Sequence, residues 1–181
     1  MKVGIIGTGW VVEKHLAALQ QIESAEVVAI AGRNQARAGE LAAPFGAKTY
    51  GDYLPMLQKE SLDAAFILLP PQLHGELERA CAEHTGAVLI EKPITTTLEQ
   101  AWEIQGYFKQ AGTLVSVGYQ NRYRAPVQRA RVCFSADSPG ILANGWWVEQ
   151  MPPPPWWRRM EQSGGQFVEQ CTHLVDLSRY L

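Results

Sequence analysis

The sequence predicts an α/β fold: a doubly wound parallel sheet with helices on both faces, followed by the opening of an α+β domain. Three observations predict it. An apolar run, Val3 to Ile6, turns through Gly7-Thr8-Gly9-Trp10 into a helical pattern. Short β-rich runs then alternate with amphipathic segments of helix length, as in parallel strands joined by crossover helices. With 181 residues, 46% of them apolar, the chain suffices for one domain and part of a second.

Strands are expected near residues 2–7, 26–31, 46–50, 63–69, 86–91 and 113–118. Between them, Ala17, Leu19 and Ile22, then Leu77, Ala80 and Cys81, then Leu98, Trp102, Ile104 and Phe108 recur at helical spacing. The turn after the first strand carries the strongest signal. A strand that passes through glycines into a helix offers N–H groups and a positive helix end to a phosphate. Gly7 permits the tight turn and Gly9 lets the backbone approach a pyrophosphate, with Thr8, Trp10 and Val11 completing a Rossmann-type dinucleotide cradle. The third small position of that fingerprint is Val12, bulkier than Gly or Ala and expected to loosen the packing of helix on strand.

In such a fold the residue closing the second strand meets the adenosine ribose. Here Ala31 is followed by Gly32-Arg33-Asn34, with Arg37 one helical turn beyond Arg33 and no carboxylate at the expected place. Without the acid there is no repulsion against a 2'-phosphate, and Arg33 and Arg37 offer it charge-assisted hydrogen bonds. NADP is therefore the expected cofactor, with NAD the alternative. The fifth strand delivers Glu91-Lys92-Pro93 to the edge where open α/β sheets bind ligands. Lys92 is placed there to donate a hydrogen bond or proton to a substrate oxygen, aimed by the fixed backbone of Pro93.

Composition excludes other classes. A formal net charge of -2 gives no basic field for a nucleic-acid backbone. No apolar stretch reaches the roughly 18 to 20 residues needed to span a membrane. The first strand begins almost at Met1, so no leader is expected and the cytoplasm is the expected compartment. Cys81, Cys133 and Cys171 are odd in number and widely spaced, and read as reduced packing residues rather than a disulfide framework or metal site.

The chain resembles the Gfo/Idh/MocA family of NAD(P)-dependent oxidoreductases. The resemblance rests on the glycine turn, Pro70-Pro71-Gln72-Leu73-His74, Glu91-Lys92-Pro93, Gly118-Tyr119-Gln120-Asn121-Arg122, and Gly164-Gly165 followed by Glu169-Gln170-Cys171-Thr172-His173 and Asp176. It implies hydride transfer between a nicotinamide and the hydroxyl or carbonyl carbon of a sugar, polyol or derivative. The family's catalytic lysine matches Lys92 and its catalytic histidine matches His173; Glu169 stands where an aspartate is common. Pro70, His74 and Glu91 then join the cofactor site, with His74 near the nicotinamide. Pro71 replaces a common asparagine, removing one polar contact. Thr172 falls in the motif around the catalytic histidine and is taken as substrate-binding.

If residues 166–181 are helical, Phe167, Cys171, Leu174, Ser178 and Leu181 form one stripe, and Glu169, His173, Asp176 and Tyr180 lie opposite. His173 is then the acid–base partner of the reacting hydroxyl, with Glu169 or Asp176 orienting its ring. Tyr119, Asn121, Arg122 and Asp176 are candidate partners for a polyhydroxylated ligand. Trp146, Trp147, Trp156 and Trp157 surround Pro152 to Pro155, a stiff extended connector; such aromatics stack on sugars but more often pack a core or an interface. His15 is expected on the first helix and His84 at a helix end. The domains expected are 1–119 for the dinucleotide and 120–181 for part of a substrate domain, opening with strands near 129–134 and 141–149. Family members are about twice this length, so exposed strand edges and the apolar stripe are expected to favour a homo-oligomer. The competing reading is a dinucleotide-binding module that senses or scaffolds without turnover.

Overall fold

The computed structural model describes residues 1–134, 140 and 142–181. They form two compact units, Met1–Val117 and Gly118–Leu181. In the first unit, β1 (Lys2–Ile6), β2 (Glu26–Ala31), β3 (Lys48–Tyr50), β4 (Ala64–Ile67), β5 (Ala87–Ile90) and β6 (Leu114–Val117) make one sheet in the order β3-β2-β1-β4-β5-β6. Every pairing is parallel. This is the Rossmann order, with its reversal point between β1 and β4. Five helices cross between the strands: α1 (Trp10–Leu19), α2 (Gln35–Ala42), α3 (Tyr53–Lys59), α4 (Glu76–His84) and α5 (Leu98–Ala111).

Alternation along the strands divides the apolar residues between two cores. Val3, Ile5, Val27 and Ile30 meet Val12, Leu16 and Leu19 of α1 and Ala38 and Leu41 of α2 on one face. Ile6, Ala29, Ala65, Ile67 and Ile90 meet Met56 of α3, Leu77 and Cys81 of α4 and Ile104 and Phe108 of α5 on the other. Because both faces are covered, the central strands read as nearly continuous apolar runs. Val12 is fully buried in the first of these cores, so the expected loosening of helix on strand is not found. Its branched side chain fills space that a smaller residue would leave. The helical stripes are also corrected in part: Ala17 and Ile22 are exposed, as are Leu98 and Trp102, while Leu19, Ile104 and Phe108 face inward.

The second unit contains α6 (Ala125–Cys133), the short α7 (Met160–Ser163), a π-helical turn at Phe167–Cys171 and α8 (Thr172–Tyr180). Among its described residues there is no strand. The span expected as a strand at 129–134 lies mostly in α6, which Pro126 opens at a position where a missing N–H costs nothing. Residues 142–149 form no regular element, and residue 141 lies outside the described residues. A strand needs a partner for its N–H and C=O groups, and the described residues supply none. Of the cysteines, Cys81 packs in the core as expected, whereas Cys133 is exposed on α6; all three are free thiols. No helix among the described residues is long and apolar enough to cross a membrane.

Candidate active site

Parallel strands point all their C-terminal ends the same way, so four turns converge on one edge of the first unit. Backbone hydrogen bonds carry the pairing beyond the strands: Gly7 N–H to Ala31 O at 2.8 Å, Gly32 N–H to Tyr50 O at 2.9 Å, Leu68 N–H to Ile6 O at 2.8 Å and Glu91 N–H to Ile67 O at 2.9 Å. The turns are thereby fixed in register with one another.

The first turn is shaped for an anion. Gly7 has φ +123°, and a Cβ there would meet the Leu68 carbonyl oxygen at 2.4 Å, so the fold itself demands glycine. Gly9 differs: its φ is -72° and a Cβ would meet nothing within 4 Å. It is also the N-cap of α1 and makes no side-chain cap. Asn34, Asp52 and Thr97, by contrast, cap α2, α3 and α5 with side-chain oxygens. The N-terminus of α1 therefore carries no side-chain cap and has free space beside Gly9, the arrangement that accepts a phosphate. Trp10 and Val11 begin that helix. Trp10 is largely exposed, with the Lys14 ammonium 4.6 Å from its ring centroid.

At the end of β2, a Cβ on Gly32 would meet Thr8 Cγ2 at 2.5 Å, so Thr8 rests against the bare backbone of the second turn. Arg33 follows and is exposed. Arg37 lies one helical turn further on, in α2. Its guanidinium binds Glu13 and Glu40, which raise its pKa, Glu40 contributing most, so its charge is already matched within the protein. Gln35, unremarked in the sequence, bonds both the Gly32 and Tyr50 carbonyls, at 2.6 and 3.0 Å.

After β4, Pro70 leads into a turn at Pro71–Leu73 and then His74. His74 Nε2 donates to the Leu69 carbonyl oxygen at 3.1 Å. Its Nδ1 lies 2.6 Å from Glu78 Oε1, with both side chains wholly buried, a contact short enough for an ion pair though not directed as a hydrogen bond. Glu78 Oε2 accepts from the Gly75 N–H at 2.5 Å, and Gln100 Nε2 from α5 donates to the His74 carbonyl at 2.8 Å. His74 thus holds its loop in place through its ring and its carbonyl oxygen. Gln72 Oε1 in the same loop is buried and has no hydrogen-bond partner among the described residues.

After β5 come Glu91 and the half-buried Lys92, joined by a cis peptide to Pro93. Glu91 Oε2 accepts the Lys92 backbone N–H at 3.1 Å, and Glu91 Oε1 lies 2.8 Å from His15 Nε2 of α1.

In the second unit the predicted residues gather around α8. Glu169, His173 and Asp176 are all buried, while Phe167 and Leu181 of the apolar stripe are exposed. Glu169 sits on the π-helical turn, where the sequence suggested continuous α-helix. Asp176 receives Arg122 through Nε, at 3.0 Å to Oδ1 and 2.8 Å to Oδ2, and through a second guanidinium nitrogen. That pairing raises the Arg122 pKa. Tyr119 Oη and Thr172 Oγ1 share a hydrogen bond of 2.8 Å. Asn121 is buried, and its Oδ1 lacks a hydrogen-bond partner among the described residues. The sequence did not connect Trp147 with His173. Trp147 stacks on the imidazole at 5.2 Å between centroids and 20° between planes, and Tyr119 meets it edge-on at 6.0 Å. Trp146, expected to pack, is instead exposed. No group of His, Cys, Asp and Glu among the described residues is arranged to hold a metal ion.

The profile of a known family, described as an oxidoreductase family with an NAD-binding Rossmann fold, Gfo/Idh/MocA, matches residues 1–119. The chain belongs to the Gfo/Idh/MocA oxidoreductase family. Among curated proteins it is 35% identical over 131 residues to D-xylose 1-dehydrogenase (NADP(+)) 2 of Haloferax volcanii, covering 72% of this chain and 40% of that protein. It is 26% identical over 185 residues to scyllo-inositol 2-dehydrogenase (NAD(+)) of Bacillus subtilis, covering 100% of this chain and 54% of that protein. Among solved structures, the WlbA dehydrogenase of Chromobacterium violaceum, in complex with NADH and UDP-GlcNAcA, superposes with a TM-score of 0.89 at 25% identity. That likeness covers 100% of this chain and 55% of the other. The chain thus spans about half, or less, of the length of these relatives.

Proposed function

We propose that this Gfo/Idh/MocA chain binds NADP(H) and carries the reactive side chains of a dehydrogenase acting on a CH–OH group of a sugar, polyol or derivative, with NAD(H) the weaker ligand. The observation that carries the reading is the edge of the first unit, where the uncapped turn at Gly9 and the lysine after β5 stand on one row of strand ends. The turn fits a dinucleotide on its own evidence: a Cβ at Gly9 would occupy the space through which a pyrophosphate approaches the helix. Arg33, exposed where an acid would select the 2'-hydroxyl, supports the phosphorylated cofactor. The relatives named above support the substrate class, one acting on D-xylose with NADP and one on scyllo-inositol with NAD.

The bound nicotinamide supplies the hydride acceptor. The chain does the rest. Lys92 donates a charge-assisted hydrogen bond to the substrate oxygen as negative charge develops there. His173 takes the hydroxyl proton, and Trp147, stacked on the imidazole, restrains the tilt of that ring. Arg122 and Asp176 neutralise each other, and with Tyr119 and Thr172 they present polar groups suited to hydroxyls. Three free thiols accord with a reducing, cytoplasmic setting, and self-association is part of the reading.

The test is a fluorescence titration with NADPH and NADH, followed by turnover on aldoses, inositols and nucleotide-linked sugars. NADPH is expected to bind about tenfold more tightly, the scale of one or two charge-assisted bonds, and Arg33→Ala to erase that preference. Lys92→Ala is expected to lower kcat about a hundredfold or more with dinucleotide affinity nearly unchanged. Binding without turnover on any substrate would favour a non-catalytic dinucleotide module.

A further inference from the structure

We infer that His15 and Glu91 form a latch that fixes the backbone at Lys92 to the helix bearing the glycine turn, making His15 a positioning residue. All the groups involved belong to the first unit. His15 lies on α1, whose N-terminus faces the open space at Gly9. Its Nε2 reaches Glu91 Oε1 at 2.8 Å, and the other oxygen of the same carboxylate accepts the Lys92 N–H at 3.1 Å. The Glu91 N–H meanwhile continues the β5 to β4 ladder by donating to Ile67 O.

A glutamate at a strand end ordinarily extends into water. Here the side chains of His15 and Glu91 are only 19% and 16% exposed, and both carboxylate oxygens are occupied by protein donors. A carboxylate can only accept from the ring, so Nε2 of His15 carries the hydrogen. The ring itself is seated edge-on against Phe66 of β4, 5.8 Å between centroids at 88°. Helix, strand end and lysine turn are thus joined through the two oxygens of the Glu91 carboxylate. Reactive groups tolerate little displacement: about 1 Å of misplacement costs on the order of a hundredfold in rate. A carboxylate tied to α1 restrains the Lys92 backbone relative to the dinucleotide turn on that same helix.

The kinetic consequence rests on the dehydrogenase reading; the structural one does not. Two variants of the full chain are compared, His15→Ala and His15→Gln, whose amide nitrogen can still donate to Glu91. His15→Ala is expected to lower kcat about tenfold or more, with NADPH affinity within about threefold of the parent, and His15→Gln to recover most of the loss. In parallel, NMR-detected hydrogen exchange should show the Lys92 amide exchanging about tenfold faster in His15→Ala, with Leu89 and Ile90 unchanged and His15→Gln close to the parent. An unchanged Lys92 amide, or equal acceleration along all of β5, overturns the latch. Faster exchange with unaltered kcat overturns the positioning role. If the parent binds dinucleotide but turns over no substrate, the dehydrogenase reading fails, and the exchange result alone decides for or against the latch.

Discussion

Two glycines two residues apart answer to different masters. Gly7 is required by the fold, through its positive φ and the nearby Leu68 carbonyl, whereas Gly9 has ordinary backbone geometry and open space around it. Gly7→Ala is therefore expected to destabilise the protein by about 1–3 kcal/mol, measured by urea denaturation. Gly9→Ala should leave the denaturation midpoint unchanged but weaken dinucleotide binding about tenfold or more. If Gly9→Ala binds like the parent, the turn is not the pyrophosphate site. Glu78 is a buried acid of the strand-four loop region. It is wholly buried against His74, and removing one partner of a buried pair leaves the other uncompensated. Glu78→Ala is expected to cost about 3–5 kcal/mol in the same assay; a loss below 1 kcal/mol would show that the pair carries no charge.

At the scale of elements, the far edge of the sheet is held to α3 by Glu60. Its carboxylate accepts from the Tyr50 hydroxyl and from Lys48 Nζ at 2.9 Å, joining β3 to the residue that ends α3. The Tyr50 bond first, then the Lys48 bond, holds the Glu60 carboxyl below its ordinary pKa. A depressed folded-state pKa contributes stability that is complete above the unfolded value, about 4.3, and is lost as pH falls through the folded value. The urea midpoint of the parent is therefore expected to drop more steeply than that of Glu60→Gln between about pH 5 and pH 3. Parallel curves for the two proteins would remove Glu60 from the account of acid sensitivity.

At the scale of the whole molecule, the β6 end of the sheet exposes apolar side chains. β6 is one of the two edge strands, with Leu114 73% and Val115 40% exposed, and Trp102 of α5 is 64% exposed. An apolar, unpaired edge of this kind promotes association. We expect the chain to sediment as a dimer or larger at micromolar concentration, and Leu114→Lys to shift it towards monomer with NADPH affinity unchanged. A monomeric parent would assign association, if any, to another surface.

The sequence by itself determined the six-stranded parallel sheet, the glycine turn and the placement of Lys92 at a strand end. These depend on hydrophobic alternation, on glycine's access to positive φ and on the fixed polarity of parallel strands, all local properties of the chain. Pro126 was equally local, and heeding it would have shown α6 where a strand was expected. Only the tertiary structure decided the pairings: Arg37 with Glu13 and Glu40, His15 with Glu91, Arg122 with Asp176 and Trp147 on His173. The i,i+4 spacing of His74 and Glu78 was visible in the chain, but not that both would be dry. Most of these partners lie tens of residues apart. Which charge meets which is set by strand order and by the direction of each helix across the sheet, and burial then makes the contacts obligatory.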